Sequence, residues 1–126
     1  MLPTITKSFA QIDSFKNQPI DTQFNVLINI IQKAKDTKWG KKYNYHKITN
    51  YSEFKQNVPI QCYEDMVQYI QIIKEGSKDV LWPGKISFFA KSSGTTDDRS
   101  KFIAITKDSL NQSHLKAGKD MLSMYM

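Results

Sequence analysis

The sequence predicts an α+β fragment, about five helices with one β-hairpin, cut from a longer chain. Three observations carry that prediction. Apolar residues recur at helical spacing along most of the 126 residues. Two short apolar runs of strand character flank a glycine-centred cluster of hydroxyl residues in FFAKSSGTTDDRSKFIAIT, Phe88 to Thr106. The last helical pattern, KAGKDMLSMYM, reaches Met126 with no glycine, proline or polar tail, which predicts a longer parent protein.

The elements follow in order. Ile5, Phe9, Ile12 and Phe15 lie on one rough face, predicting a helix over about 4–17 that Pro19 ends. Asp21 is a plausible N-cap for a second helix. Phe24, Leu27, Ile28 and Ile31 place it, and it should run to about Lys38 and stop near Gly40. YSEFKQN, with Ser52 as candidate cap, predicts a short third helix before Pro59. Met66, Ile70 and Ile73, with Val67 widening the apolar face, predict a fourth that Gly76 ends. Pro83-Gly84 marks a turn. Strands are expected at about 86–91 and 101–105. A last helix from Thr106 carries the stripe Leu110, His114, Ala117, Met121 and Met124. No repeat, low-complexity tract or linker interrupts the chain, so 1–126 reads as one segment without an internal boundary. Cutting the last helix would leave Leu110, Met121 and Met124 exposed and prone to self-association.

Composition narrows the function classes. Apolar residues at 40% and charged residues at 24% fit a soluble globular chain rather than a disordered one. One cysteine, Cys62, excludes an internal disulfide and fits a reducing compartment. It reads as a partly buried thiol beside Tyr63 rather than a nucleophile. No apolar run has the length of a membrane span and no signal peptide opens the chain, so the expected location is cytoplasmic, with no membrane partner. His46 and His114 lack any ligand spacing, so no metal site is expected, and His114 on an apolar stripe reads as a core histidine. The adjacent acids Glu64-Asp65 and Asp97-Asp98 do not make an acid–base dyad.

The net charge of +6 is concentrated. Between Lys33 and Lys47 six lysines face one acid, Asp36, with Trp39, Tyr43 and Tyr45 interleaved. Such a segment suits a solvated helix end. It also suits a small basic nucleic-acid-binding module gripping phosphates and stacking bases, the alternative reading.

The hydroxyl turn likewise leaves two readings open. There is no Walker loop and no nucleophile elbow. Gly94 permits a tight turn and close approach of a ligand, and successive N–H groups around it can form an anion nest. Ser92, Ser93, Thr95 and Thr96 add hydroxyl donors, and Lys91, Arg99 and Lys101 add positive charge. A hairpin tip rich in Ser and Thr has the same composition. Lys101 is in the same way either an exposed hairpin lysine or a phosphate contact.

An ordered set of motifs runs through the chain: AKDTKWGKKY, VPIQ-x-YED before a helix, LWPGKI, FFAKSSGTT, SKFI and LNQSHLKAGKDML. In this set the chain resembles the N-terminal part of a bacterial-type member of the auxin-responsive acyl-acid amido synthetase family. Ala104 stands where that family commonly has proline, and Asp97-Asp98 stand where other adenylating enzymes have glycine. The resemblance implies the α/β adenylate-forming enzyme fold and an ATP-dependent, AMP-forming ligase. Such an enzyme activates a carboxylic acid as its adenylate and joins it to an amino acid. Nucleotide, carboxylic acid and amino acid would then be the partners, rather than nucleic acid, with ATP and Mg²⁺ as cofactors. Ser92, Ser93, Gly94, Thr95, Thr96 and Lys101 would hold the ATP phosphates. No catalytic side chain is assigned within the chain, which alone would be inactive.

Overall fold

A computed structural model describes residues 2–92 and 100–125, with side chains from Ala10 onward apart from Ser123. The chain divides within its second helix into two compact units, Met1–Val26 with Lys107–Met126, and Leu27–Thr106.

In the first unit, α1 (Leu2–Asn17) packs with α7 (Lys116–Met124). Of the residues expected on α1's apolar face, Ile12 is half-buried and Phe15 exposed, whereas the side chains of Ile5 and Phe9 lie outside the described ones. Pro19 does end α1, but it also opens α2 (Pro19–Ala34). Proline suits a first helical position because its missing N–H would have had no intrahelical partner. Gln18, not Asp21, is the flanking residue: its carbonyl accepts both the N–H and the hydroxyl of Thr22, at 3.0 and 2.7 Å. Asp21 instead sits in the first turn, where its charge suits the dipole. The last helical stretch is composite: a short α6 (Lys107–Ser109), a π-helical segment Leu110–Leu115, then α7. The π segment shifts the phase of the side chains, and His114 is exposed rather than a core histidine. Leu110, Met121, Leu122 and Met124 are exposed as well.

The second unit holds the core. Helix α2 stops at Ala34, short of the expected Lys38, because Thr37 starts a new helix, α3 (Lys38–Lys42). The Thr37 hydroxyl is buried; it donates to Ala34 O at 2.6 Å and accepts the Gly40 N–H at 3.0 Å. Gly40 is therefore no helix stop. It lies inside α3, where a Cβ would come 2.1 Å from Ala34 O. The first N–H groups of α3, which have no partner within the helix, donate to a distant loop: Lys38 N to Asp79 O at 2.8 Å and Trp39 N to Val80 O at 3.0 Å. That loop is closed by Asp79, in left-handed backbone (φ 54°), whose carboxylate accepts the Gly84 N–H at 2.6 Å.

Ile31, Ala34, Trp39, Tyr45 and Ile48 form one buried cluster, and Ile73, Val80 and Ile86 a second. Tyr69, Leu81 and Trp82 pack against both. Helix α4 (Tyr51–Asn57) is capped by Asn50, which accepts the Glu53 N–H at 3.0 Å; Ser52 lies one position inside the helix. Helix α5 (Tyr63–Lys74) buries Ile70 and Ile73 and half-buries Met66 and Tyr69, while Val67 faces solvent. It ends as expected at Gly76 (φ 96°), where Gly76 N donates to Ile73 O and Ser77 N to Ile72 O, both at 3.0 Å. The strands β1 (Phe88–Ser92) and β2 (Lys101–Ile105) pair antiparallel, Phe88 opposite Ile105 and Ser92 opposite Lys101. Phe89 and Ala104 pack against the second cluster, and Phe88 and Ile103 are exposed on the other face.

Candidate functional site

The hairpin register settles where the described part of the hydroxyl-rich segment lies. Ser92 and Lys101 are the terminal pair of the two-stranded stem. Directly opposite residues of antiparallel strands have Cα atoms about 4.5–5.5 Å apart, so a hydroxyl and an ammonium are presented together at one end. Of the other predicted phosphate residues, Ser93, Gly94, Thr95 and Thr96 lie outside the described residues, as do Asp97, Asp98 and Arg99.

Helix α5 supports this end of the stem. Its first residue, Tyr63, accepts the Phe102 N–H on its phenol oxygen at 2.8 Å; the same oxygen lies 3.4 Å from Phe102 O. The Lys101 ammonium sits 5.2 Å from the centre of the Tyr63 ring. Lys74, from the last turn of α5, lies over the Phe102 ring at 4.0 Å. The start of α5 is in turn fixed by Asp65, whose carboxylate accepts both the N–H and the thiol of Cys62 at 2.9 Å. The cysteine is thus exposed at a helix cap, where a partly buried thiol was expected. The hydrogen bond to Asp65 holds the Cys62 thiol above its ordinary pKa, opposite to what a nucleophile needs. The same bond keeps Asp65 below the usual carboxylate range. Glu64 is also held low, first by its own backbone N–H and then by the Cys62 thiol, with Lys101 adding to the effect. In the sequence Tyr63 shows as a neighbour of Cys62 and as the first residue of YED, with no role attached to it. Its contact with a backbone group 39 positions away leaves no local signal.

The basic, aromatic segment has a different role from the one its composition allowed. Trp39 and Tyr45 are buried in the first cluster, where the indole N–H donates to the Tyr45 hydroxyl at 3.1 Å. Burial pushes the Tyr45 phenol up, so it stays neutral. Trp39 meets Tyr43 at 4.6 Å and Tyr69 edge-on at 5.2 Å between ring centres. Lys42 covers this group, donating to the Tyr69 hydroxyl at 2.8 Å and lying 5.1–5.7 Å from all three ring centres. Rings committed to a core in this way cannot stack on bases. Two of the three rings of that segment, Trp39 and Tyr45, are thus part of the hydrophobic core.

Residues 8–126 match the family model described as the GH3 family N-terminal domain. The probable indole-3-acetic acid-amido synthetase GH3.1 of Arabidopsis thaliana is 29% identical over 110 residues, covering 86% of this chain and 19% of that protein. The jasmonoyl–L-amino acid synthetase JAR6 of Nicotiana attenuata is 29% identical, covering 94% of this chain and 22% of that protein. The chain therefore spans about a fifth of the length of the curated relatives it matches. Among solved structures, a GH3.15 acyl acid amido synthetase superposes with a TM-score of 0.81 at 24% identity, over 93% of this chain and 21% of the other. That likeness extends to the fold, which is part of a larger one.

Proposed function

The chain belongs to the GH3 family, and from that premise we propose that it supplies the N-terminal part of an ATP-dependent acyl-acid amido synthetase. The observation that carries the reading is the family match across residues 8–126, with relatives named as amido synthetases along most of the same span. In this reading the parent protein adenylates a carboxylic acid and passes the acyl group to the amine of an amino acid, releasing AMP. The relatives named here act on indole-3-acetic acid or form jasmonoyl conjugates; for this chain the substrate class is a carboxylic acid. The reading keeps a cytoplasmic location; among the described residues no helix is long and apolar enough to cross a membrane.

The end of the hairpin stem is the phosphate site of this proposal. Ser92 and Lys101, paired in register, offer an O–H donor and an ammonium, the chemistry that suits phosphate oxygens. In sequence, Ser93, Gly94, Thr95 and Thr96 add hydroxyls and a glycine that spares the backbone a Cβ. Their work would be to hold and neutralise the triphosphate while the acid attacks its α-phosphate, a matter of positioning and charge rather than of a nucleophile from this chain. Among the described residues no three His, Cys, Asp or Glu side chains come together to hold a metal. Mg²⁺ accompanying the nucleotide would add to the neutralisation of the triphosphate. The 126-residue chain alone, a fifth of its relatives, is expected to lack turnover.

The test is pyrophosphate exchange by the full-length protein against a panel of carboxylic acids, followed by amide formation with added amino acids. Exchange that requires both ATP and an acid, and amide that requires an amino acid as well, is expected. A folded full-length protein that supports no acid-dependent exchange across aryl, indolyl and alkyl acids would refute the proposal.

A further inference from the structure

We infer that Tyr63 is a positioning residue for nucleotide binding, acting on the phosphates only through Lys101, which its ring and its bond to the β2 backbone together hold in place. The inference rests on the phosphate role proposed above for the end of the hairpin stem.

Two contacts from one side chain converge on consecutive residues of β2. The phenol oxygen accepts the Phe102 N–H at 2.8 Å, which fixes the height of β2 against the first turn of α5. The ring face underlies the Lys101 ammonium at 5.2 Å. Tyr63 itself starts from a firm base, because Asp65 locks the start of α5 through Cys62 and the far half of the helix buries Ile70 and Ile73. The hydrogen bond therefore transmits the position of the core to the residue next to Lys101.

The ring contact fits a side chain that must bind an anion. A free lysine loses rotamer entropy when it is fixed on a ligand, and an ammonium already held near its working position loses less. An exposed aromatic face holds an ammonium weakly. A carboxylate in the same place would instead neutralise Lys101 and compete with phosphate. Glu64 lies close enough to feel Lys101, yet its carboxyl is engaged first with its own backbone N–H and with the Cys62 thiol. The neutral ring is thus the partner that can orient Lys101 and still release it.

The experiment uses the full-length protein with Tyr63→Phe, Tyr63→Leu, Lys101→Met and the double variant Tyr63→Leu/Lys101→Met, and reads kcat and separate KM values for ATP and the acid. Tyr63→Phe keeps the ring and loses one hydrogen bond, so KM for ATP should rise about three- to tenfold with KM for the acid unmoved. Tyr63→Leu should raise it further, and should add nothing in the Lys101→Met background, because the ring works through Lys101. The inference is overturned if both Tyr63 variants keep a wild-type KM for ATP, if they raise both KM values alike, or if the double variant multiplies the single effects. Should Lys101→Met leave KM for ATP unchanged in an ATP-dependent enzyme, the phosphate reading of the stem fails, and Tyr63 becomes an ordinary fold contact. Tyr63→Phe, the gentler change, keeps the test decisive should Tyr63→Leu not fold.

Discussion

Replacing Gly40 with alanine sets two physical rules against each other. Gly40 lies within α3, where helix propensity alone favours alanine over glycine by about 1 kcal/mol. The packing says the reverse. A Cβ at Gly40 would stand 2.1 Å from Ala34 O, 2.8 Å from Lys35 O and 2.9 Å from the Ala34 carbonyl carbon, all backbone atoms. Ordinary C···O contacts begin at about 3.3 Å, so the two segments must separate by roughly an ångström. That movement stretches both hydrogen bonds of the buried Thr37 hydroxyl, to Ala34 O and from Gly40 N. Overpacking of about 1–3 kcal/mol plus two weakened buried bonds gives a loss of about 3–5 kcal/mol. Gly76→Ala is the matched control: φ is 96°, but nothing lies within 4 Å of the added methyl. Its cost is left-handed backbone strain alone, about 1–2 kcal/mol. Urea unfolding followed by the fluorescence of Trp39, buried beside Gly40, reads both. With an m-value of about 2 kcal/mol/M, Gly40→Ala should lower the midpoint by about 2 M and Gly76→Ala by less than 1 M. A Gly40→Ala midpoint at or above that of Gly76→Ala would refute the packing account and leave propensity in command.

Two further outcomes follow from the start of α5 and its neighbour α4. Asp65→Asn removes the carboxylate that holds the Cys62 thiol up, so alkylation of Cys62 by a maleimide near pH 7.5 should speed up several-fold; an unchanged or slower rate would contradict the hydrogen bond. The carboxyls of Glu53, which accepts the Thr49 N–H at 2.7 Å, and of Asp65 are both depressed. A depressed carboxyl stabilises the fold above its unfolded pKa, about 4, and loses that contribution as pH falls through its lower folded value. Stability measured by urea titration should therefore be flat from neutral pH to about 5 and decline below about 4. Glu53→Gln should flatten part of the decline, and a decline already present at pH 6 would point to other groups.

Element existence was legible because apolar spacing is a local property. Ile31, Ile70 and Ile73 lie where the helical period put them, and β2 spans the predicted residues. The capping residues were not, because they depend on partners elsewhere. Thr37 interrupts what looks like one helix from Asp21 to Lys38, since the N–H groups it frees find Asp79 O and Val80 O. Asn50 caps α4 while Ser52, the expected cap, lies inside it. Gly40 looks like a stop and is a close approach. The π-helical segment at Leu110–Leu115 has no composition signal at all. For the proposed site, the sequence offers the hydroxyl cluster by its residue types and its order among neighbouring motifs, and only Ser92 of that cluster lies among the described residues. The lysine–aromatic segment misled because burial of Trp39 and Tyr45 cannot be read from their interleaving with lysines. Tyr63 stayed hidden because its partner is a main-chain N–H.

The motifs that mark the family divide into a frame and a site, and α5 joins them. KWGKKY and the segment around LWPGK are one packing unit: the first N–H groups of α3 meet carbonyls of the loop that Asp79 and Gly84 close, and Trp39 packs on Tyr69 of α5. The far half of α5 is committed to that frame through Ile70 and Ile73. Its first turn is less so, for Glu64 and Asp65 are exposed and Tyr63 is half-buried, although Met66 packs against the first cluster. Yet that turn carries the YED motif, and Tyr63 from it holds β2 next to Lys101. Losing the single Tyr63 hydrogen bond costs the core little, so Tyr63→Phe should change the height and tilt of the hairpin without unfolding it. The geometry of the proposed phosphate site is thereby separable from the stability of the frame. A site residue such as Tyr63 should report itself in nucleotide affinity, whereas a frame residue such as Gly40 should report itself in the unfolding midpoint.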